Sequence, residues 1–349
     1  MSNPSDIKKI GVLTGGGDAP GLNAVVRAIV LSARREFGLQ VVGIRDGFGG
    51  FVEADGTLPL TGPVVRGLLW RGGSILRCNN IYRGDPARFC EAMKELELDG
   101  LVVVGGDGSL TIGAEMAKLG ARIVGVPKTI DRDVVGTDTT FGFDSALAVV
   151  SDACQRLIDT AESHHRVMIV EVMGRNSGFI ALHGAVAGGA DVALVPEIPY
   201  RVENIADVVQ ARCAKNRTYT LIVAAEGAAP AGGDQVTQGS DHGRVRLGGI
   251  AEALTGQLAA ILPHQVRSVT LGHLQRGGTP TPFDRVLGTR MGTAAVAALM
   301  AGESGVFTAL RDSEIVLTPI EVAAGKQRTL QQDDPTIATA RSVGISFGD

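Results

Sequence analysis

Lys128, Thr129, Asp131 and Asp133 stand within six residues of the segment VGVPKTIDRD, directly after the apolar run Ile123–Val126. Charged groups beside a buried strand cost free energy unless something offsets their desolvation. Asp131 and Asp133, two residues apart, face one side of an extended segment. One carboxylate can then accept a hydroxyl proton while the other helps to hold a metal ion. Lys128 and Thr129 can donate to phosphoryl oxygens. A polar loop with Asx turns is the ordinary alternative. Ordinary loops seldom carry Lys, Thr, Asp, Arg and Asp straight off a strand, so the pattern favours chemistry on phosphate with a metal ion.

Two glycine-rich turns point the same way. In KKIGVLTGGGDAPGLNAVVRAIV an apolar run ends at Thr14, three glycines follow, and Pro20 sits where a helix can begin. Backbone N–H groups of such a turn, backed by a helix dipole, form an anion site. The spacing matches neither GxGxxG nor GxxxxGK[ST], and a purely structural tight turn is the competing reading. In LVVVGGDGSLTIGAEMAKL a second run ends in glycines and offers Asp107 at a turn before a helix. Asp107 reads either as a helix cap, by itself or through Ser109, or as a Mg²⁺ ligand, since hard cations on nucleotide phosphates prefer carboxylate oxygen.

Two further segments hold cations. VEVMGRNSG ends a run at Val172 and places Arg175 where its planar fork can meet a phosphoryl group. His164 and His165, being adjacent, point apart and make a poor chelate. His273 and Arg276 in LGHLQRGG follow another run and read as an anion pocket for a substrate phosphate, or as a structural salt bridge.

The elements that would position these residues alternate. Apolar, β-branched runs recur at Ile10–Leu13, Val41–Ile44, Leu101–Val104, Ile123–Val126, Val167–Val172, Val192–Val195, Leu221–Ala225 and Val269–Leu271. Helical patterns lie between most of them, at Leu22–Arg35, Arg88–Leu96, Ser145–Ala161, Asn204–Ala214, Gly249–Leu262 and Val286–Met300. Such alternation predicts parallel sheets covered on both faces. With 349 residues, two doubly wound domains fit better than one. A TIM barrel alternates in the same way, but glycine turns after the first and third runs favour open sheets. Residues 227–246, rich in glycine and without periodicity, read as a surface loop.

Composition narrows the function classes. Apolar residues make up 44% and charged residues 20%, with a net charge of −4, which gives no reason to expect nucleic acid or an anionic membrane as partner. Aromatic content of 4% argues against a base-stacking surface. No apolar run approaches the roughly 20 residues of a membrane span, and MSNPSDIKKI lacks a secretory apolar stretch. The expected location is the cytoplasm. Four separated cysteines, Cys78, Cys90, Cys154 and Cys213, read as reduced thiols.

In order along nearly the whole chain, GGGDAPGLN, GGDGS, PKTIDRD, VEVMGR, AEG and LGHLQRGGTPTPFDR resemble the motifs of the phosphofructokinase family. They are most similar to the bacterial branch that holds ATP-dependent and pyrophosphate-dependent members. The resemblance implies two Rossmann-like domains with largely parallel sheets. Residues 1–142 with 275–325 would bind the phosphoryl donor; residues 143–274 with 326–349 would bind the sugar phosphate. It implies a glycolytic kinase of fructose 6-phosphate using Mg²⁺ and ATP. Donor phosphates would lie against Gly16, Gly17, Gly106, Asp107, Gly108 and Ser109, with Asn80 aligned where an arginine normally bridges donor and acceptor. Asp107 and Asp133 would hold the metal ion, and Asp131 would be the base. Thr129, Arg175 and Lys128 would act on the transferring group. The sugar-phosphate pocket would use Thr129, Asp131, Met173, Gly174, Arg175, Glu226, His273 and Arg276, with Arg166 and Arg267 crossing to a neighbouring subunit. Active sites at a subunit interface imply a homodimer or homotetramer.

Gly108 is the residue type of ATP users, whereas Lys128 is that of pyrophosphate users; ATP is favoured. Three departures from the family pattern keep other readings in view. Arg132 replaces the asparagine of TIDND, where it would lower the basicity of Asp131 or contact a different substrate. Asn80 replaces the bridging arginine, with Arg77 and Arg83 as substitutes. Leu31 and Ile158 stand where effector-site arginines are usual. The alternatives are pyrophosphate as donor, another acceptor such as sedoheptulose 7-phosphate, or a catalytically weak sensor of nucleotide and sugar phosphate.

Overall fold

A computed structural model of the chain describes residues 7–79, 84–241 and 244–349. Along it run β1 (Lys9–Thr14), α1 (Leu22–Glu36), β2 (Gln40–Ile44), β3 (Thr57–Leu60), α2 (Pro86–Glu95), β4 (Gly100–Gly105), α3 (Asp107–Lys118) and β5 (Ile123–Pro127). Then follow α4 (Phe143–His164), β6 (Val167–Val172), α5 (Phe179–Gly188), β7 (Val192–Leu194), α6 (Val202–Ala214), β8 (Thr220–Ala225), β9 (Thr237–Asp241) and β10 (Arg244–Leu247). The last are α7 (Ile250–Ile261), β11 (Val266–Thr270), α8 (Pro282–Met300), β12 (Val306–Arg311), β13 (Glu314–Pro319) and α9 (Pro335–Ser342).

The chain divides into two compact units. The first comprises Met1–Ile130, Val134–Ser145 and Arg276–Gln327. Its seven-stranded sheet has the order β13-β12-β5-β4-β1-β2-β3. The interior is parallel, and both edges close antiparallel, β2 with β3 and β12 with β13. Side chains alternate between its faces as the strand period requires. Ile10, Val12, Val102, Val104, Val124 and Val126 join one core with α1 and α8. Leu13, Leu101, Val103 and Ile123 join another with Phe89 and Met93 of α2 and Leu110 and Ala114 of α3. Each fully buried aliphatic side chain contributes roughly 1.5–3 kcal/mol relative to exposure.

The second unit comprises Asp131–Asp133, Ala146–Gln275 and Arg328–Asp349. Its four-stranded sheet, β11-β6-β8-β7, is parallel throughout. One core joins Ile169, Leu194 and Ile222 to Ile205 of α6 and to Leu254 and Leu258 of α7. Open sheets with helices on both faces replace the closed ring of a TIM barrel.

Three expectations change. Residues 227–246 are not wholly a loop, because β9 and β10 pair there as an antiparallel ribbon. The run placed at Val269–Leu271 lies earlier, as β11, whose pattern is mostly exposed. Strands β3, β12 and β13 escaped a search for apolar runs because they lie at or near a sheet edge and mix polar with apolar residues. Among the described residues no helix is long and apolar enough to cross a membrane.

Candidate active site

In the first unit, both glycine turns close on Ser109. The side chain of Ser109 is buried, and a Cβ on Gly15 or Gly105 would come within 2.4 Å of it. Only glycine permits that approach. Gly15 N donates to Val104 O at 2.9 Å and Gly16 N to Asn79 O at 3.1 Å. Below them, Thr14 Oγ1 donates to Arg77 O at 2.6 Å. Pro20 lies ahead of the helix, whose N-cap is Gly21, with α1 starting at Leu22.

The first turn borders a cavity of about 360 Å³ lined by Gly16, Gly17, Asp18, Gly73, Ser74, Arg77 and Cys78. Burial pushes the Cys78 thiol above its ordinary range, against the smaller opposing pull of Lys128. Lys128 is itself buried, and its ammonium donates to Gly17 O. Arg276 reaches the same turn and donates through Nη1 to Asp18 O at 2.8 Å. Asn80 and Arg83 lie outside the described residues.

Asp107 is not a cap. The N-cap of α3 is Gly106, which makes no side-chain cap bond, and Asp107 is the first helical residue. Its main-chain oxygen accepts from Thr111 Oγ1 at 2.8 Å, and among the described residues no donor engages its carboxylate. A hard anionic oxygen pair presented at a helix N-terminus fits Mg²⁺, which takes one or two carboxylates and completes its shell with phosphate oxygens and water. The described residues hold no cluster of three or more metal-ligating side chains. Gly108 opens onto free space, since a Cβ there would meet nothing within 4 Å.

A second carboxylate in this unit was not foreseen. Asp284, at the start of α8, is fully buried. Its Oδ2 accepts from Ser145 N at 2.8 Å and Ser145 Oγ at 2.6 Å, and the Gly142 amide also acts on the carboxylate. Burial pushes its pKa up to about 6, against the lowering effect of the Ser145 bonds. It fastens the start of α4 to α8.

In the second unit, Asp131 and Asp133 are both buried. They do not lie on an extended segment, because Arg132 between them has φ 58°. A left-handed residue turns the chain, so the alternation used to place both carboxylates on one side does not apply. Asp133 O accepts from Arg328 N at 2.7 Å. Arg132 Nη1 lies 3.0 Å from His183 Nε2 of α5. Burial first, and then the Arg132 guanidinium, lowers the His183 pKa to about 4. The ring is neutral and accepts from the guanidinium, which has only donors.

The other expected residues of this unit lie after β6, after β8, and in or beside β11 and the start of β6. Met173 and Gly174 follow β6, and the exposed Arg175 takes φ 50°. Its N–H donates to Glu226 Oε1 at 3.1 Å, just after β8. A Cβ on Gly227 would stand 2.0 Å from Arg175 O, so the two turns interlock only through glycine. His273 is exposed beyond β11. Arg166 donates through Nε to Gln265 Oε1 at 3.1 Å, and Arg267 is exposed, with Nη1 on its neighbour's carbonyl, Val266 O.

The phosphofructokinase family model matches residues 9–299. The chain is 48% identical to an ATP-dependent 6-phosphofructokinase of Chloroflexus aurantiacus, over 98% of this chain and 98% of that one. It is 44% identical to a pyrophosphate–fructose 6-phosphate 1-phosphotransferase of Streptomyces coelicolor, over 97% of this chain and all of the other. Among solved structures, Pichia pastoris phosphofructokinase in its T-state superposes with a TM-score of 0.82 at 31% identity, covering 97% of this chain and 37% of that longer one.

Proposed function

Because this chain belongs to the phosphofructokinase family, we propose that it is a cytoplasmic glycolytic kinase transferring the γ-phosphoryl group of ATP to the 1-hydroxyl of fructose 6-phosphate. The observation that carries the donor is the open space at Gly108, in the second of two glycine turns, the first of which borders a cavity. A nucleotide needs that room and pyrophosphate does not. Lys128, the residue type of pyrophosphate users, directs its ammonium into the Gly17 carbonyl.

Transfer of a phosphoryl group leaves little covalent work to the protein, so positioning and charge neutralisation supply most of the catalysis. Main-chain N–H groups at Gly16, Gly17, Gly106 and Gly108, with Ser109, would hold the donor. Asp107 and Asp133 would hold Mg²⁺, which supplies charge neutralisation on the phosphates when bound. Asp131 takes the proton from the sugar hydroxyl as it attacks. Thr129, Lys128 and Arg175 stabilise the transferring group. Met173, Gly174, Glu226, His273 and Arg276 orient the sugar phosphate, and Arg166 and Arg267 serve the site of a neighbouring copy, so the working unit is at least a homodimer.

A coupled assay offering ATP and pyrophosphate against fructose 6-phosphate and sedoheptulose 7-phosphate tests this reading, with mass measured in solution. ATP with fructose 6-phosphate should give the highest kcat/KM, from a dimer or tetramer. Faster turnover with pyrophosphate would move the assignment to the second donor, which the Lys128 side chain and the Streptomyces relative favour. Ligand binding without turnover for any pair would make the chain a sensor.

A further inference from the structure

The turn between the two candidate carboxylates is held from both sides by groups that the transfer does not use. Arg132 adopts φ 58°, a region that asparagine enters readily and a long side chain only at a cost. Its guanidinium is 3.0 Å from His183 Nε2 and stands over the Phe179 ring at 5.4 Å. Both partners belong to α5. On the other side, Arg328 N donates to Asp133 O at 2.7 Å, and the Arg328 guanidinium covers the same Phe179 ring at 5.0 Å. Arg328 is itself fixed, because its carbonyl accepts from Ser177 Oγ at 2.6 Å. Two residues on, Leu330 N donates to Glu197 Oε1 at 2.8 Å, and that carboxylate also accepts from Gly178 N just ahead of α5.

We propose that Arg132 is a positioning residue: bound to His183 and Phe179, and matched by the Arg328 amide on Asp133, it fixes the turn that carries Asp131 and Asp133, and it does not contact the sugar phosphate. The inference rests on the kinase reading for its catalytic consequence but not for its geometry. An arginine at this position therefore acts as an anchor, which makes the strained backbone affordable where a smaller residue would need none.

Four variants test it: R132A, R132K, H183A and H183Q, in the full-length protein. R132A and H183A should each lower kcat about 10-fold, the scale of a sub-ångström misplacement of reacting groups, with both KM values changed less than about threefold. The double variant should be no worse than the poorer single one, because both break the same link. H183Q keeps an acceptor for the guanidinium and should stay within about threefold of the parent, with R132K between the extremes. Hydrogen exchange of the peptide spanning residues 128–136, measured without substrate, should speed up in R132A and H183A and not in H183Q. That measurement needs no turnover, so it judges the anchor even if the parent protein proves to be no kinase. Additive losses, a raised sugar-phosphate KM at unchanged kcat, or unaltered exchange would each overturn the proposal. If R132A folds poorly, H183A carries the same comparison, since it removes the guanidinium's partner and leaves residue 132 unchanged.

Discussion

The two units solve one problem, the placing of polar groups beside a parallel sheet, by opposite means. In the first, the loops at β1 and β4 are made of main chain: glycines close on the small Ser109 side chain, and the β1 loop borders a cavity. In the second, the turn holding Asp131 and Asp133 is fixed by the Arg132 side chain on His183 and by the Arg328 amide on Asp133 O, with the Glu197 carboxylate holding the Arg328 segment. Main-chain cradles suit a ligand that offers many equivalent phosphate oxygens. Side-chain anchors suit a group whose position must be set to a fraction of an ångström, as a general base must be.

The largest effect should come from the second unit's charge. Asp131→Asn should lower kcat by ~10²–10⁴-fold while sugar-phosphate binding, followed by calorimetry, stays within a few-fold. Full activity in that variant would remove the contrast altogether, because the anchored turn would then carry no base.

A sharper contrast lies in the pH dependence of stability. His183 has a folded pKa of about 4 against 6.5, so the unfolded chain binds the proton more readily between them. Its contribution, up to roughly 3 kcal/mol, is lost as pH falls from 6.5 towards 4. Asp284 runs the other way. With its pKa raised from 3.8 to about 6, the folded state holds the proton, and stability of similar size is lost as pH rises across that interval. Urea midpoints followed through this window should lose their acid-side fall in His183→Gln and their opposite trend in Asp284→Asn. Parallel changes in both variants would refute the assignment of opposite signs.

The smallest effect tests the main-chain cradle. Gly15→Ala places a Cβ against Ser109 Oγ and should cost roughly 1–3 kcal/mol of stability as overpacking does. It should raise the ATP KM more than it lowers kcat. The same variant with Ser109→Ala should recover part of the loss, and no recovery would mean that the serine is not what the glycine accommodates.

Much of this was legible in the chain. Strands β1, β4, β5, β6 and β8 are buried on both faces, and their near-continuous apolar runs announce them. The ribbon β9–β10 did not announce itself, since TQGSD and RVRL have no buried face to impose a pattern. Helix α5 is legible from its place after the β6 turn and not from any period, since FIALHGAVAG is apolar nearly all round, without a polar stripe. Of the site, the glycine turns and the PKTIDRD cluster were visible because their chemistry is local in sequence. The partners that hold them were not. His183 lies 51 residues from Arg132 and Asp284 lies 139 from Ser145, and no spacing rule reaches so far. The left-handed backbone at Arg132 was hidden as well, because nothing local marks an arginine for it.

The way the chain is cut into units bears on its synthesis. Each unit is assembled from three separate stretches, and β5, inside the larger sheet, is bordered by β12, which follows it by about half the chain. As translation proceeds from the N-terminus, neither unit has all its parts until the ribosome has passed residue 300. Until then the apolar margin of β5 is without its neighbour, so shortened nascent products should be clients of chaperones and not small stable fragments.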